Sequence, residues 1–289
     1  MCGLDDMDDF SRLQAPVSRR QFGALTLGAG MAAALPRLAD AAETNGKDLM
    51  IKTPDGNCDA YFVSPAAGKH PGVLVWPDIF GLRPTMQQMA TRLAESGYSV
   101  LVVNPFYRVK KAPTAPEHAD FNDPATRQSL MGLMQALTPV TALTDAKAFI
   151  PFLDSQPAVD KQKKIGTTGY CMGGPFVFRT AAEFPDRIGA AATFHGGGLV
   201  TDKPDSPHLL IPTMKAQFLV AIAENDDVRE PNTKTMLKDA FAKAKLPAEV
   251  EVYAGAQHGW CPPDSMVYNK DQAEKAWSRQ MALFSKALA

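Results

Sequence analysis

Short apolar runs alternate with amphipathic stretches along the chain from about residue 48 onward. Residues 73–76 (VLVW) and most of residues 99–104 (SVLVVN) are apolar, which is typical of strands buried on both faces of a parallel sheet. Between them, residues 84–96 carry apolar side chains at helical spacing, and Gly97 supplies a stop signal. The alternation predicts a mostly parallel sheet with helices packed on it.

The pattern predicts eight strands in all. The first two, residues 48–53 and 58–64, pair as an antiparallel hairpin around the turn at residues 54–56. The other strands are predicted at 73–76, 99–104, 164–169, 190–194, 217–223 and 250–253, and the helices at 84–96, 124–137, 141–155, 172–184, 231–245 and 271–288. Since no linker or repeat interrupts this series, we expect a single α/β domain.

The first 41 residues follow a different pattern. Residues 18–22 (SRRQF) form a twin-arginine motif, and residues 23–34 form an uncharged, weakly apolar run. This run is shorter than the ~20 residues that a bilayer-spanning helix needs, and residues 39–41 (ADA) suit a signal peptidase. We therefore expect residues 1–41 to be an export signal for the twin-arginine machinery and residues 42–289 to be the mature periplasmic or secreted domain.

The composition excludes several classes of protein. Of 289 residues, 45% are hydrophobic and 21% are charged, as in globular domains. The 30 basic residues balance 31 acidic ones, so no field favours nucleic acid or an anionic membrane. The five histidines and four cysteines lack paired metal-ligand spacing. We expect no nucleic-acid partner, no metal, no stable membrane insertion and a monomer.

Export would also decide the environment of the cysteines. Removal of the signal takes away Cys2 and leaves Cys58, Cys171 and Cys261 in an oxidising compartment. A disulfide between Cys58 and Cys261 is permitted there, and two unpaired thiols are the equal alternative.

One segment carries the signature of a nucleophile. Residues 169–173 (GYCMG) lie between a predicted strand and a predicted helix and match the Gly-x-Ser-x-Gly elbow, with sulfur in place of oxygen. So sharp a turn strains the central residue and leaves room only for glycines beside it. The helix N-terminus favours a thiolate at Cys171. The backbone N–H of Met172 points to the site of an oxyanion, and we expect a second donor from Ile79.

A thiol nucleophile needs a base. In α/β enzymes with this elbow, the nucleophile, the acid and the base follow one another in that order along the chain. His258 follows the last predicted strand and is the expected general base. Asp226 and Asp227 both follow the strand before it and are candidates for the acid. His195 lies 24 residues after Cys171, whereas the similar His-Gly-Gly-Gly motif of lipases precedes their nucleophile. We therefore interpret His195 as a strand-end residue near the pocket.

These motifs together resemble the dienelactone hydrolase family. Residues 169–174 (GYCMGG) are close to the nucleophile motif of that family, and residues 78–81 (DIFG) are similar to its Glu-Ile-Phe-Gly segment. Residues 104–108 (NPFYR) and 257–259 (QHG) also fall in register. The likeness extends from about residue 48 to the C-terminus.

The resemblance implies an α/β-hydrolase fold and a triad of Cys171, His258 and Asp226, since the acid of the family occupies a Gly-Glu-Asn-Asp-like turn. It also implies that no cofactor is needed and that a small ester or lactone is hydrolysed through an acyl-thioester. Tyr170 and Trp260, beside the nucleophile and the base, are further candidates for substrate contact.

Three positions depart from the family pattern. Asp78 replaces a glutamate that helps to form the thiolate, and its carboxylate is one methylene shorter. Of two arginines that hold the lactone carboxylate in the family, Arg127 matches the first by approximate spacing, and Pro262 replaces the second. Loss of one such contact weakens anion binding by about 1.5–3 kcal/mol. The departures favour a less acidic ester or lactone.

Two other functions stay open on the sequence. A hydrolase scaffold can serve as a non-catalytic exported binding protein. A thiol peptidase would share every motif and differ only in its substrate.

Overall fold

The computed structural model describes residues 42–116 and 118–289. The export signal predicted at residues 1–41, which includes Cys2, lies outside these ranges and stays a prediction. Within the described ranges, no helix combines the length and the apolar character that crossing a membrane requires.

Eight strands of the described chain form one sheet. They are β1 Thr44–Thr53, β2 Gly56–Pro65, β3 Gly72–Trp76, β4 Ser99–Val103, β5 Ile165–Tyr170, β6 Ile188–Phe194, β7 Gln217–Ala223 and β8 Ala248–Tyr253. Their spatial order is β1-β2-β4-β3-β5-β6-β7-β8. The pairings of β1 with β2 and of β2 with β4 are antiparallel, and the other pairings are parallel. The predicted mostly parallel eight-stranded sheet is confirmed.

Helices cover both faces of the sheet. They are α1 Pro84–Glu95, α2 Pro124–Met134, α3 Pro139–Ser155, α4 Gly174–Glu183, α5 Glu224–Arg229, α6 Thr233–Ala244 and α7 Lys270–Ala287. Buried side chains of α3, α4 and α6 share one apolar core with one face of the sheet, and those of α1 and α7 share a second core with the other face.

The central strand β3 explains why this sequence forms two cores. Successive side chains of a strand point to opposite faces, so Leu74 and Trp76 enter the first core while Val73 and Val75 enter the second. Trp76 packs against Phe149 of α3 with ring centroids 5.8 Å apart, and its indole N–H donates to Thr180 Oγ1 at 3.1 Å. The apolar run therefore buries both of its faces.

The structure differs from the predicted elements at one place that matters for the site. Residues 224–229, expected to be a turn, form the short helix α5, and the next helix starts at Thr233 rather than at residue 231. Six residues are too few to show helical periodicity. Glu224, Asp226 and Asp227 lie in the first turn of α5, where the helix dipole favours acidic side chains.

The thiols of Cys58 and Cys261 do not form a disulfide. Cys58 and Cys261 are both buried and free, so of the two alternatives the structure contains separate thiols. The Cys58 thiol donates to the carbonyl oxygens of Asp59 and Asn104, each at 3.4 Å. Burial raises the pKa of both thiols far above the usual range.

The parallel topology brings the chemistry-bearing loops together. Strands β3, β5, β6, β7 and β8 run in the same direction, so the loops that follow them leave one edge of the sheet. In α/β sheets ligands bind at this carboxyl edge. Cys171, His195, Asp226 and His258 each follow one of these strands.

Candidate active site

Cys171 lies directly after β5, where a short 3-10 turn leads into α4. Its φ is +49°, a left-handed value that a residue with a side chain holds only under strain. A Cβ on Gly169 would lie 2.5 Å from the Gly173 carbonyl oxygen, and a Cβ on Gly173 would collide with the Trp76 carbonyl. The turn therefore requires glycine at both flanking positions, because any side chain there would collide with backbone atoms.

Three side chains meet at this turn. His258 Nε2 lies 3.0 Å from Cys171 Sγ, and His258 Nδ1 lies 2.7 Å from Asp226 Oδ2. The neighbouring Asp227 instead accepts a hydrogen bond from Lys234 Nζ at 2.6 Å. Because a carboxylate only accepts, Nδ1 carries a proton and Nε2 is the nitrogen that exchanges a proton with the sulfur. Of the two aspartates after β7, Asp226 is the one that contacts His258.

Helix α5 holds this arrangement in place. Arg229, one turn after Asp226, donates to Asp226 Oδ1 at 3.1 Å, so both oxygens of the carboxylate are engaged. The side-chain oxygen of Asn225 accepts the backbone N–H of His258 at 2.8 Å. The short helix thus orients the imidazole through its backbone as well as through its ring.

The electrostatics of the site favour a protonated imidazole. Burial by itself would lower the pKa of His258, but the negative charges of Asp226 and Cys171 and their hydrogen bonds raise it to about 10. A base that holds its proton this firmly in contact with a sulfur can form a thiolate–imidazolium pair. That pair is the activated state of a cysteine nucleophile.

The two expected oxyanion donors belong to the same region. Met172 follows the nucleophile in the 3-10 turn, and Ile79 lies in the loop after β3; each is 5% exposed. In that loop the N–H groups of Phe80 and Gly81 are held by Asp78, through its carboxylate and its carbonyl oxygen respectively, each at 3.0 Å. Ile79 is part of the wall of the cavity that Cys171 faces.

His195 contacts the nucleophile more closely than the sequence predicted. It follows β6, is 1% exposed, and its Nδ1 accepts the backbone N–H of Cys171 at 3.1 Å. Its ring lies 5.1 Å from the rings of His258 and Trp260. Burial and the nearby His258 hold the pKa of His195 well below its ordinary value. A neutral ring that accepts at Nδ1 carries its proton on Nε2, so His195 fixes the position of the strained turn.

Asp78, the residue in the loop after β3 that departs from the family pattern, belongs to a largely buried ion-pair cluster. Both of its oxygens accept from Arg83, at 2.7 and 2.9 Å. Arg83 also donates to both oxygens of Asp264, at 2.6 and 3.0 Å. Burial alone would raise the pKa of Asp264, but the hydrogen bonds and charge of Arg83 lower it below the ordinary value. We call these three residues the Arg83 cluster.

A cavity of about 1020 Å³ opens in front of Cys171 and His258. Its walls come from three loop segments, namely the loop after β3, the segment between β4 and α2, and the loop after His258, and from residues of β1, β2 and α1. The Arg83 cluster forms part of the wall. Among the described residues, no three His, Cys, Asp or Glu side chains are arranged to share a metal ion.

Tyr170, Trp260 and Arg127, which were expected to contact substrate, do not line this cavity. Tyr170 stacks on Phe194 in the second core at 5.2 Å, and Trp260 is fully buried against Tyr253 at 5.2 Å. Neither is among the residues that line the cavity. Tyr170 is the last residue of β5 and its ring packs in the second core, whereas Cys171 belongs to the turn that follows the strand. Arg127, in α2, is also outside the cavity wall.

Comparison with known proteins identifies the family. The sequence model of the dienelactone hydrolase family matches residues 58–288. A carboxymethylenebutenolidase of Pseudomonas putida is 26% identical over 235 residues, which are 81% of this chain and 93% of that protein. A carboxymethylenebutenolidase of Rhodococcus opacus is 26% identical over 221 residues, which are 75% of this chain and 81% of that protein.

A solved structure agrees on the fold. The dienelactone hydrolase-like promiscuous phosphotriesterase from metagenomic libraries superposes with a TM-score of 0.70 at 21% identity, over 85% of this chain and 99% of that one. The family match covers most of the chain, and the relatives are named as lactone-hydrolysing enzymes. The chain therefore belongs to the dienelactone hydrolase family and is a hydrolase of carboxylic esters or lactones.

Proposed function

We propose that this hydrolase cleaves small esters or lactones through Cys171, with an acyl-thioester intermediate. The observation that carries the proposal is the unbroken line of contacts from Asp226 through His258 to the Cys171 sulfur, with N···O and N···S distances of 2.7 and 3.0 Å. The cavity in front of this sulfur supports a small-molecule substrate. The names of the relatives support a lactone or ester as its class.

The acylation step uses Cys171 as the nucleophile, His258 as base and then as acid, and two backbone N–H groups. His258 Nε2 takes the proton of the Cys171 thiol, and the thiolate attacks the acyl carbon. The N–H groups of Met172 and Ile79 donate to the oxyanion of the tetrahedral intermediate. The intermediate collapses when the bond between the acyl carbon and the alkoxy oxygen breaks, and the imidazolium returns its proton to that oxygen. In a lactone the leaving alcohol stays attached to the acyl group.

Deacylation repeats the sequence with water. His258 takes a proton from a water molecule, and the resulting hydroxide attacks the thioester carbon. The carbon–sulfur bond breaks, the acid leaves, and the sulfur receives the proton from His258. Asp226 keeps the imidazole oriented in both steps and stabilises its positive charge.

The proposal is tested by detecting the intermediate. The mature domain, mixed with p-nitrophenyl acetate and quenched rapidly, should carry one acetyl group on the peptide that contains Cys171. A panel of short acyl esters, lactones and peptide anilides should then show turnover of esters or lactones. Turnover without any acyl group on Cys171 would refute the covalent step, and hydrolysis of the anilides alone would favour the peptidase alternative.

Substitution of Asp78 separates its role from that of the triad. We expect Asp78→Asn to lower kcat/KM for p-nitrophenyl acetate by less than about tenfold, because both carboxylate oxygens are bound to Arg83. His258→Ala should lower it by about 1,000-fold, since the base is lost. Steady-state kinetics of the two variants make the comparison. Equal losses would assign Asp78 to the reacting groups.

A further inference from the structure

We infer that the cavity selects uncharged esters and lactones over substrates that carry a carboxylate, and that Asp264 determines this selectivity by occupying Arg83. The inference rests on the proposed hydrolase function and names the substrate class of that same site. It follows from three features of the cavity wall: the hydrogen bonds of Arg83, the balance of charges, and the apolar surface that remains.

The guanidinium of Arg83 has no N–H group left for a substrate. A guanidinium carries five N–H donors. Arg83 Nε donates to Asp264, Nη2 donates to Asp264 and Asp78, and Nη1 donates to Asp78 and to the carbonyl oxygen of Gly81 at 3.3 Å. All five donors are therefore used. A substrate carboxylate would have to displace an aspartate that is already bound through two oxygens.

The charges in the wall also oppose an anion. The Arg83 cluster combines one guanidinium with two carboxylates and carries a net charge of about −1. The described lining residues include three more aspartates, Asp48, Asp59 and Asp120, and the one lysine among them, Lys111, has an exposed side chain. The protonated His258 also lines the cavity, but Asp226 at 2.7 Å and the Cys171 sulfur at 3.0 Å balance its charge. A carboxylate entering this cavity therefore meets a negative potential that a neutral molecule does not.

The rest of the wall suits an uncharged molecule. Apolar side chains from all three wall segments face the cavity: Ile79, Phe80, Leu82, Phe121, Met266 and Val267. Burial of an acyl chain or an alcohol group against these side chains needs no charged partner.

Asp264 is the residue on which this selectivity depends. Asp264 belongs to the loop after His258. Arg83 binds two carboxylates, that of Asp264 and that of Asp78, which lies in the same loop as Ile79. Asp264→Asn keeps an oxygen that accepts from Arg83 but removes the negative charge. In that variant the cluster becomes neutral, so a carboxylate in the cavity meets one negative charge fewer in the wall.

The test compares two substrates that give the same acetyl-enzyme. They are 4-acetoxybenzoate and its methyl ester, and each enzymatic kcat/KM is divided by the rate constant of hydroxide-catalysed hydrolysis of the same compound. We expect the wild-type enzyme to favour the neutral ester by about tenfold, and added salt to reduce this preference. Asp264→Asn should raise the relative rate of the anionic ester by about fivefold.

A matched control removes a similar ion pair elsewhere. Asp154 binds Arg187 through both carboxylate oxygens and lies outside the cavity wall, so Asp154→Asn should leave the ratio of the two rates unchanged. A wild-type preference for the anionic ester would overturn the inference. The inference would also be overturned if the ratio of the two normalised rates stayed the same in Asp264→Asn, or stayed the same when salt is added. Failure to hydrolyse these two esters or any ester or lactone of the panel would refute the proposed function and, with it, the inference.

Discussion

Cys171→Ala should lower kcat/KM for p-nitrophenyl acetate by about 1,000-fold or more, with the folded structure unchanged. Without the sulfur there is no nucleophile to form the thioester, and His258 can assist only a direct attack by water. The oxyanion donors and the cavity remain, so a small residual rate over buffer is expected. Initial rates at matched enzyme concentrations, with circular dichroism to check the fold, measure the effect.

Cys58 provides the control for this substitution. It is also a free thiol, but it is fully buried and is bound to the carbonyl oxygens of Asp59 and Asn104. Cys58→Ala should keep the wild-type kcat/KM and lose only about 1 kcal/mol of folding free energy. Undiminished turnover by Cys171→Ala would remove the nucleophile assignment and leave only the family and the fold.

Asp226→Asn is expected to lower kcat/KM by on the order of 100- to 1,000-fold and to change its dependence on pH. The Asp226 carboxylate is one of the charges that raise the pKa of His258 to about 10. An amide has no charge, so in the variant this pKa falls and the imidazolium loses its proton at lower pH. The alkaline limb of the kcat/KM profile should therefore move to lower pH. A profile measured from pH 5 to pH 11 records both the loss and the shift.

Asp227 is the matched control, because it is the next residue on the same short helix. Its carboxylate is bound to Lys234 at 2.6 Å and not to His258. Asp227→Asn should leave both the rate and the alkaline limb close to wild type. If the two substitutions had the reverse effects, the acid of the triad would be Asp227.

The parts of the site that could be predicted from the sequence are those whose constraints are local or topological. Glycines on both sides of Cys171 mark the turn, because any Cβ there would strike backbone atoms. The strand order of the fold then puts the residues that follow β7 and β8 at the same edge of the sheet. That is sufficient to choose His258 and to restrict the acid to Asp226 or Asp227.

The parts that could not be predicted depend on contacts between distant segments. Arg83 and Asp264 are 181 residues apart, and neither has a local motif that indicates the pairing. His195 did have a signal, the run FHGGG after a strand, but only the coordinates show that its ring accepts the N–H of Cys171. Tyr170 and Trp260 lie close in sequence to the nucleophile and the base, but their rings pack in the second core, which closeness in sequence does not reveal.

The burial of two thiols out of three has a practical value. Of the cysteines in the described chain, only Cys171 has partial exposure, since Cys58 and Cys261 are enclosed in the two cores. In protein that lacks residues 1–41, and with them Cys2, a maleimide dye should therefore attach once per molecule, at Cys171 in the cavity wall. The dye count would give the concentration of competent enzyme in any preparation, and its protection by a competing molecule would report occupancy without turnover.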